Sequence, residues 1–90
     1  MNARTVTRAL EALSHRLDDS HVPAMPGWTC PACQDTAWPC PPARTKLAEA
    51  YGSDRSGLAA YVGALLFAAA GDLPRVPASE LHERFVSWTR

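Results

Sequence analysis

Cys30, Cys33 and Cys40 are the only cysteines in the chain, and they fall within eleven residues of one another. His21 stands nine residues ahead of the first of them. Three thiols and one imidazole make a tetrahedral donor set, the kind Zn²⁺ takes in a closed structural site. Two cysteines separated by two residues can both face one ion while the backbone turns around it, and Cys40 would close the site from the far side. Formal charges on Zn²⁺ and these ligands sum to about −1. Arg44 and Lys46 are near enough in sequence to offset that charge or to donate to the sulfurs. His15 and His82 fall in helical stretches and read as surface or boundary histidines, although either could fold back as the fourth ligand in place of His21.

Trp28 and Trp38 bracket the cysteines. Aromatic rings bury much area, and an apolar shell commonly surrounds zinc ligands, so both are expected to pack over the metal loop rather than offer a stacking platform. The stretch Trp28-Thr29-Cys30-Pro31-Ala32-Cys33 faintly resembles the active-site turn of thioredoxin-like proteins. Such turns follow a strand and open a helix, whereas Pro26 and Gly27 precede this one and a third cysteine lies nearby. A thiol–disulfide enzyme is therefore the lesser reading. A zinc-linked redox switch, in which oxidation ejects the metal, ranks above it. No glycine-rich phosphate loop, paired-carboxylate pocket or nucleophile elbow is present. Asp18, Asp19, Glu80 and Glu83 read as solvated helix ends and faces. No catalytic residue is assigned, and the chain is read as not an enzyme.

The elements that must position the cluster are helical. Val6, Leu10, Leu13 and Leu17 share one face of a helix over about 2–19, with Asn2 as a candidate cap. Residues 20–43 hold six of the eight prolines and no regular period, so 20–41 is expected to be an irregular loop fixed by packing and metal. Pro41 and Pro42 suit the first turn of a second helix, about 42–51, that stops at Gly52. Ser53 or Asp54 can cap a third, about 54–71, which is apolar nearly all round and is expected at the centre. In it Ala59, Gly63 and Ala64 would let another backbone come close. A fourth runs over about 77–88, with Leu81, Phe85 and Trp88 on one side. The predicted fold is all-α: one domain over 1–90, a small four-helix bundle with a zinc loop between the first two helices. A short hairpin around the cysteines is allowed for.

Ninety residues bury a modest core, which a metal staple would supplement. Nine basic and nine acidic side chains cancel, which argues against a nucleic-acid or anionic-membrane footprint. The arginines of the first helix are diluted by Glu11, Asp18 and Asp19. No secretory h-region is visible, and the apolar run 58–70 is too short to span a bilayer. A cytoplasmic address is expected, where clustered cysteines read as metal ligands or redox groups.

The segment Trp28-Thr29-Cys30-Pro31-Ala32-Cys33, followed by Trp38-Pro39-Cys40-Pro41-Pro42-Ala43-Arg44, resembles a group of small actinobacterial zinc-finger-like proteins. Their shared pattern is His, Trp-x-Cys-x-x-Cys, Trp-Pro-Cys and a helical tail. The resemblance extends to Phe85-Val86-Ser87-Trp88-Thr89-Arg90 and covers most of the chain. Members often carry the label flavin reductase, although neither a phosphate-binding turn nor strands are predicted here. The resemblance implies the ligand set His21, Cys30, Cys33 and Cys40, without an established activity. Zinc-containing anti-sigma factors are similar in size and helical content and also combine His with Cys-x-x-Cys. They place a cysteine before a closer histidine, so their switching function is not carried over. The function expected is that of a zinc-binding regulatory or accessory protein acting on a protein partner or a second copy of itself, with a redox-responsive zinc regulator as the alternative and a flavin-dependent reductase or a nucleic-acid-binding zinc finger behind it. Apolar residues left over on the first and last helices motivate that expectation.

Overall fold

In the computed structural model, which describes residues 2–90, the chain is mostly helical. The first helix, α1, spans Ala3–Arg16. Asn2 caps it as expected, its side-chain oxygen accepting from the Thr5 backbone N–H at 2.9 Å. The helix ends three residues before the expected 19. Asp18 and Asp19 take φ of 51° and 58°, a left-handed conformation that aspartate tolerates better than most residues. Leu17 still bonds to the Leu13 carbonyl at 3.0 Å and is fully buried, so the apolar pattern outruns the helix by one residue.

The second helix, α2, spans Pro41–Tyr51, with its prolines in the first turn, where the missing N–H costs nothing. Gly52 ends it at φ 57°, a conformation glycine adopts without a Cβ clash. The third, α3, spans Arg55–Asp72 and is capped by Asp54, whose carboxylate accepts from the Gly57 N–H at 2.9 Å. The fourth, α4, spans Ala78–Phe85. It stops three residues short of the expected 88, and a 3₁₀ turn over Ser87–Thr89 replaces the last turn. That turn half-buries Trp88 and buries Thr89, whose hydroxyl donates to the Val86 carbonyl at 2.6 Å.

The fold is mostly helical rather than purely α, because the short hairpin allowed for around the cysteines forms in the metal loop. There β1, Thr29–Cys30, pairs antiparallel with β2, Thr36–Ala37. Two-residue strands carry no alternation that a sequence pattern could show.

The hub is α3, which packs against α1, α2 and α4. It buries Leu58, Tyr61, Val62, Ala64, Leu65 and Ala69. Leu13 and Leu17, Leu47, and Leu81 with Phe85 complete the core from the other elements. Each large aliphatic side chain buried here contributes roughly 1.5–3 kcal/mol of transfer free energy. The helix is not covered all round, however. Phe67 is 58 % exposed, and a Cβ at Gly63 would meet nothing within 4 Å, so no backbone approaches there. The large apolar side chains left exposed are Phe67 of α3 and Met25 of the metal loop, rather than residues of the first and last helices. No helix among the described residues is long and apolar enough to cross a membrane.

Candidate metal centre

Four segments converge on the site. His21 follows the end of α1 and sits at φ 57°. Cys30 ends β1, and Cys33 ends the 3₁₀ turn Pro31–Cys33. Gln34 and Asp35 then take φ of 58° and 59°, and the Asp35 N–H closes back on the Cys30 carbonyl at 2.9 Å. This reversal brings both sulfurs of the Cys-x-x-Cys pair to one side and returns the chain as β2. Cys40 is the N-cap residue of α2. The Ala24–Thr29 bridge, with hydrogen bonds of 2.7 and 3.3 Å, lays the His21 segment alongside the hairpin.

The Nδ1 of His21 lies 3.4, 3.4 and 3.5 Å from the Sγ atoms of Cys30, Cys33 and Cys40. All four donor atoms lie within 4.8 Å of one another. A tetrahedral ion with its nitrogen at about 2.0–2.1 Å and its sulfurs at about 2.3 Å sets N···S edges of about 3.5 Å. The three edges from His21 match. A neutral imidazole nitrogen has one lone pair or one proton and cannot hydrogen-bond three thiols at once. Near-equal distances to all three fit coordination to a shared cation. The four residues could therefore hold a metal ion with no position left open.

Burial and mutual proximity favour the protonated thiols over the thiolates. Desolvation, then hydrogen bonds to Cys30 and Cys40, then the charges of those two, push the Cys33 thiol up to about 11. Burial also raises Cys40, opposed by the Ala43 backbone N–H in the first turn of α2. Thiols packed this closely hold their protons unless a cation replaces them, and metal binding then releases those protons. The positive end of α2 assists at Cys40.

The loop is fastened to the bundle by aromatic packing and by Arg84. Trp28 and Trp38 are both fully buried, which bears out their packing role and leaves neither ring a free face for stacking. Their centroids lie 5.7 Å apart, and each meets Phe85 of α4, at 5.5 and 5.9 Å. Trp38 Nε1 donates to the His21 carbonyl at 2.7 Å, which sets the backbone of the imidazole ligand. Trp28 Nε1 donates to Asp72, the last residue of α3, at 2.8 Å. Arg84 donates from Nε to the Trp38 carbonyl and from a terminal nitrogen to the Trp28 carbonyl, each at 2.6 Å. Burial lowers the pKa of this guanidinium, with Glu80 opposing.

All four predicted ligands are thus brought together, while His15 and His82 are exposed and lie outside the cluster. The expected role of Arg44 and Lys46 is corrected. Arg44 donates to the Pro39 carbonyl at 3.0 Å and lies over Trp88, and Lys46 pairs with Asp18 at 3.1 Å. Neither reaches the sulfurs, because each finds an oxygen acceptor first. Arg84 and Asp72 were not singled out from the sequence. The available signal was a basic residue beside the buried Phe85, three positions after Leu81 on the same face of an amphipathic helix. Comparisons with protein-family models, with curated proteins and with solved structures give no match to this chain.

Proposed function

We propose that the protein is a small interaction module whose fold is held by a structural Zn²⁺ on His21, Cys30, Cys33 and Cys40. One observation carries the metal reading: a single imidazole nitrogen nearly equidistant from three thiol sulfurs. Soft thiolates favour zinc, copper(I) or iron–sulfur centres, and a tetrahedral set of three sulfurs and one nitrogen favours zinc. Four protein donors leave no site for substrate or water, as in structural rather than catalytic zinc centres. The pattern shared with small actinobacterial zinc-finger-like proteins is in keeping with that set.

The interaction reading is supported by an apolar groove of about 220 Å³ between α3 and α4, lined by Gly63, Leu66, Phe67, Ala70, Ala78 and Leu81. Phe67 stands at it more than half exposed. Native mass spectrometry of protein purified without chelator tests both halves. One zinc per chain and a complex that Phe67→Glu dissociates are expected. A metal-loaded chain that stays monomeric at its highest soluble concentration, and captures nothing that the variant fails to capture, would overturn the interaction half alone.

A second reading, a redox-responsive regulator, rests on Cys33, which is half-buried where Cys30 and Cys40 are fully buried. Hydrogen peroxide would oxidise two ligand thiolates to one disulfide, itself reduced to water, and zinc would leave. Retention of stoichiometric zinc under mild peroxide removes this reading.

A further inference from the structure

Away from the metal loop, Arg16 is a cation without an anion. Its Nε is one of two buried side-chain nitrogens without a hydrogen-bond partner among the described residues, Trp88 Nε1 being the other. Its guanidinium lies over two rings at once, 4.8 Å from the centroid of Tyr61 and 5.0 Å from that of Tyr51. The tyrosines themselves sit 5.9 Å apart, and the Tyr61 hydroxyl is tied to the Ala9 carbonyl at 2.7 Å. The only ion pair among the described residues is Lys46–Asp18, so no carboxylate lies within 4 Å of Arg16. Asp18 and Glu49 line a separate, mixed-charge groove on which Arg16 also borders. A half-buried charge lacking its full set of hydrogen bonds is costly. The Nε itself is closed off from solvent, so it is the terminal nitrogens of the guanidinium that remain to meet a ligand.

The space beside it has the form of a small-molecule site. Between α1 and α3 runs a groove of about 360 Å³, to which Arg8, Ala12, Arg16, Tyr51 and Ala60 contribute. No acidic side chain lines it. Arg8 and Arg16 are two helical turns apart on one face of α1, and the alanines between the arginines and along α3 make a shallow apolar floor. A concave, mostly apolar surface with a few converging polar groups, at the lower end of the range of about 300–1,000 Å³, is the usual form of a small-ligand pocket. The guanidinium fork suits an oxyanion, and the paired rings hold one fork in place beforehand.

We propose that this groove binds a small organic anion: a carboxylate or phosphate held by Arg8 and Arg16, carried on an apolar body that lies over Ala12 and Ala60 against Tyr51. None of these residues is a metal ligand, so the proposal does not depend on the metal reading.

The test is a titration of the protein as purified, followed by ¹H–¹⁵N spectra that include the arginine side-chain Nε–H signals. The probes are benzoate, phenyl phosphate, inorganic phosphate and, as a neutral control, benzyl alcohol. Saturable shifts at Arg16 Nε–H and at the Ala12 and Ala60 amides are expected with benzoate or phenyl phosphate, the tighter of the two identifying the oxyanion. Arg16→Gln and Arg8→Gln should each weaken binding about tenfold, the scale of one charge-assisted hydrogen bond. Ala60→Leu, at an exposed position, should block the floor and abolish binding while leaving the helical spectrum intact. The proposal is overturned by shifts that do not saturate, by benzyl alcohol or inorganic phosphate binding as tightly as phenyl phosphate, or by unchanged affinity in Arg8→Gln and Ala60→Leu.

Discussion

Helix α3 and the metal loop are held in opposite ways. The 18 residues of α3 satisfy their interior backbone groups within the helix and gain stability from buried side chains. Between Leu17 and Pro41 the longest strand is two residues, and six positions among the residues from Asp18 to Asp35 take left-handed φ. There the chain is fixed by side chains that reach backbone carbonyls, by a cluster of three rings, and by four ligand atoms converging on one point. Apolar burial alone suffices where the backbone is regular. Where prolines and left-handed residues break it, specific long-range contacts take over. Removing one such contact should therefore loosen the loop before it loosens the hub.

The largest effect expected is from the metal. Chelation, or Cys30→Ser, should remove an apparent contribution on the order of 10 kcal/mol, comparable to the stability of a whole domain. The near-ultraviolet dichroism of Trp28 and Trp38 should collapse with it. Melting curves with and without chelator that superimpose would contradict this. Next is the hub: Leu65→Ala, at a fully buried position, should cost about 2–5 kcal/mol while metal stoichiometry is retained. Metal loss in the folded variant would show that the two regions are not separable.

Arg84→Gln should cost about 2–4 kcal/mol, because it removes two hydrogen bonds from a charged donor to carbonyls of the loop. Unlike Leu65→Ala, it should also speed metal transfer to a competing chelator. A smaller effect follows from Tyr61, whose hydroxyl burial pushes up to about 12, with the Arg16 charge partly opposing. Its folded pKa lies above the ordinary value of about 10. Its contribution is therefore fully present below about pH 10 and is lost as pH rises towards 12. Tyr61→Phe should flatten that alkaline loss at a cost of about 1 kcal/mol for the bond to Ala9. Phe67→Glu should change stability by less than about 0.5 kcal/mol, because its side chain stands on the exposed side of α3, outside the core.

The helices and the ligand set could be read from the sequence because each has a local signature. Asn2, Asp54, Pro41 and Gly52 mark helix ends through capping and backbone geometry that depend on a few neighbours. Cys-x-x-Cys with Cys40 carries ligand spacing directly. What stayed hidden depends on contacts across the chain. Arg84 and Trp28 are 56 residues apart, and Asp72 and Trp28 are 44 apart. No local pattern records that the carbonyls of Trp28 and Trp38 need a donor. The ends of α1 and α4 were overrun because Leu17 and Trp88 keep the apolar period after the helix has stopped. The exposure of Phe67 was missed for a related reason. A helix apolar on every side does not show which side its neighbours leave open.

The central claim is that one ion joins His21 to three sulfurs and so ties the loop to the bundle. X-ray absorption at the zinc edge, on protein purified without chelator, reads the ligand shell directly. One nitrogen at about 2.0–2.1 Å and three sulfurs at about 2.3 Å are expected. A shell with an oxygen in place of the nitrogen, with fewer than three sulfurs, or with no stoichiometric metal to measure, would contradict it.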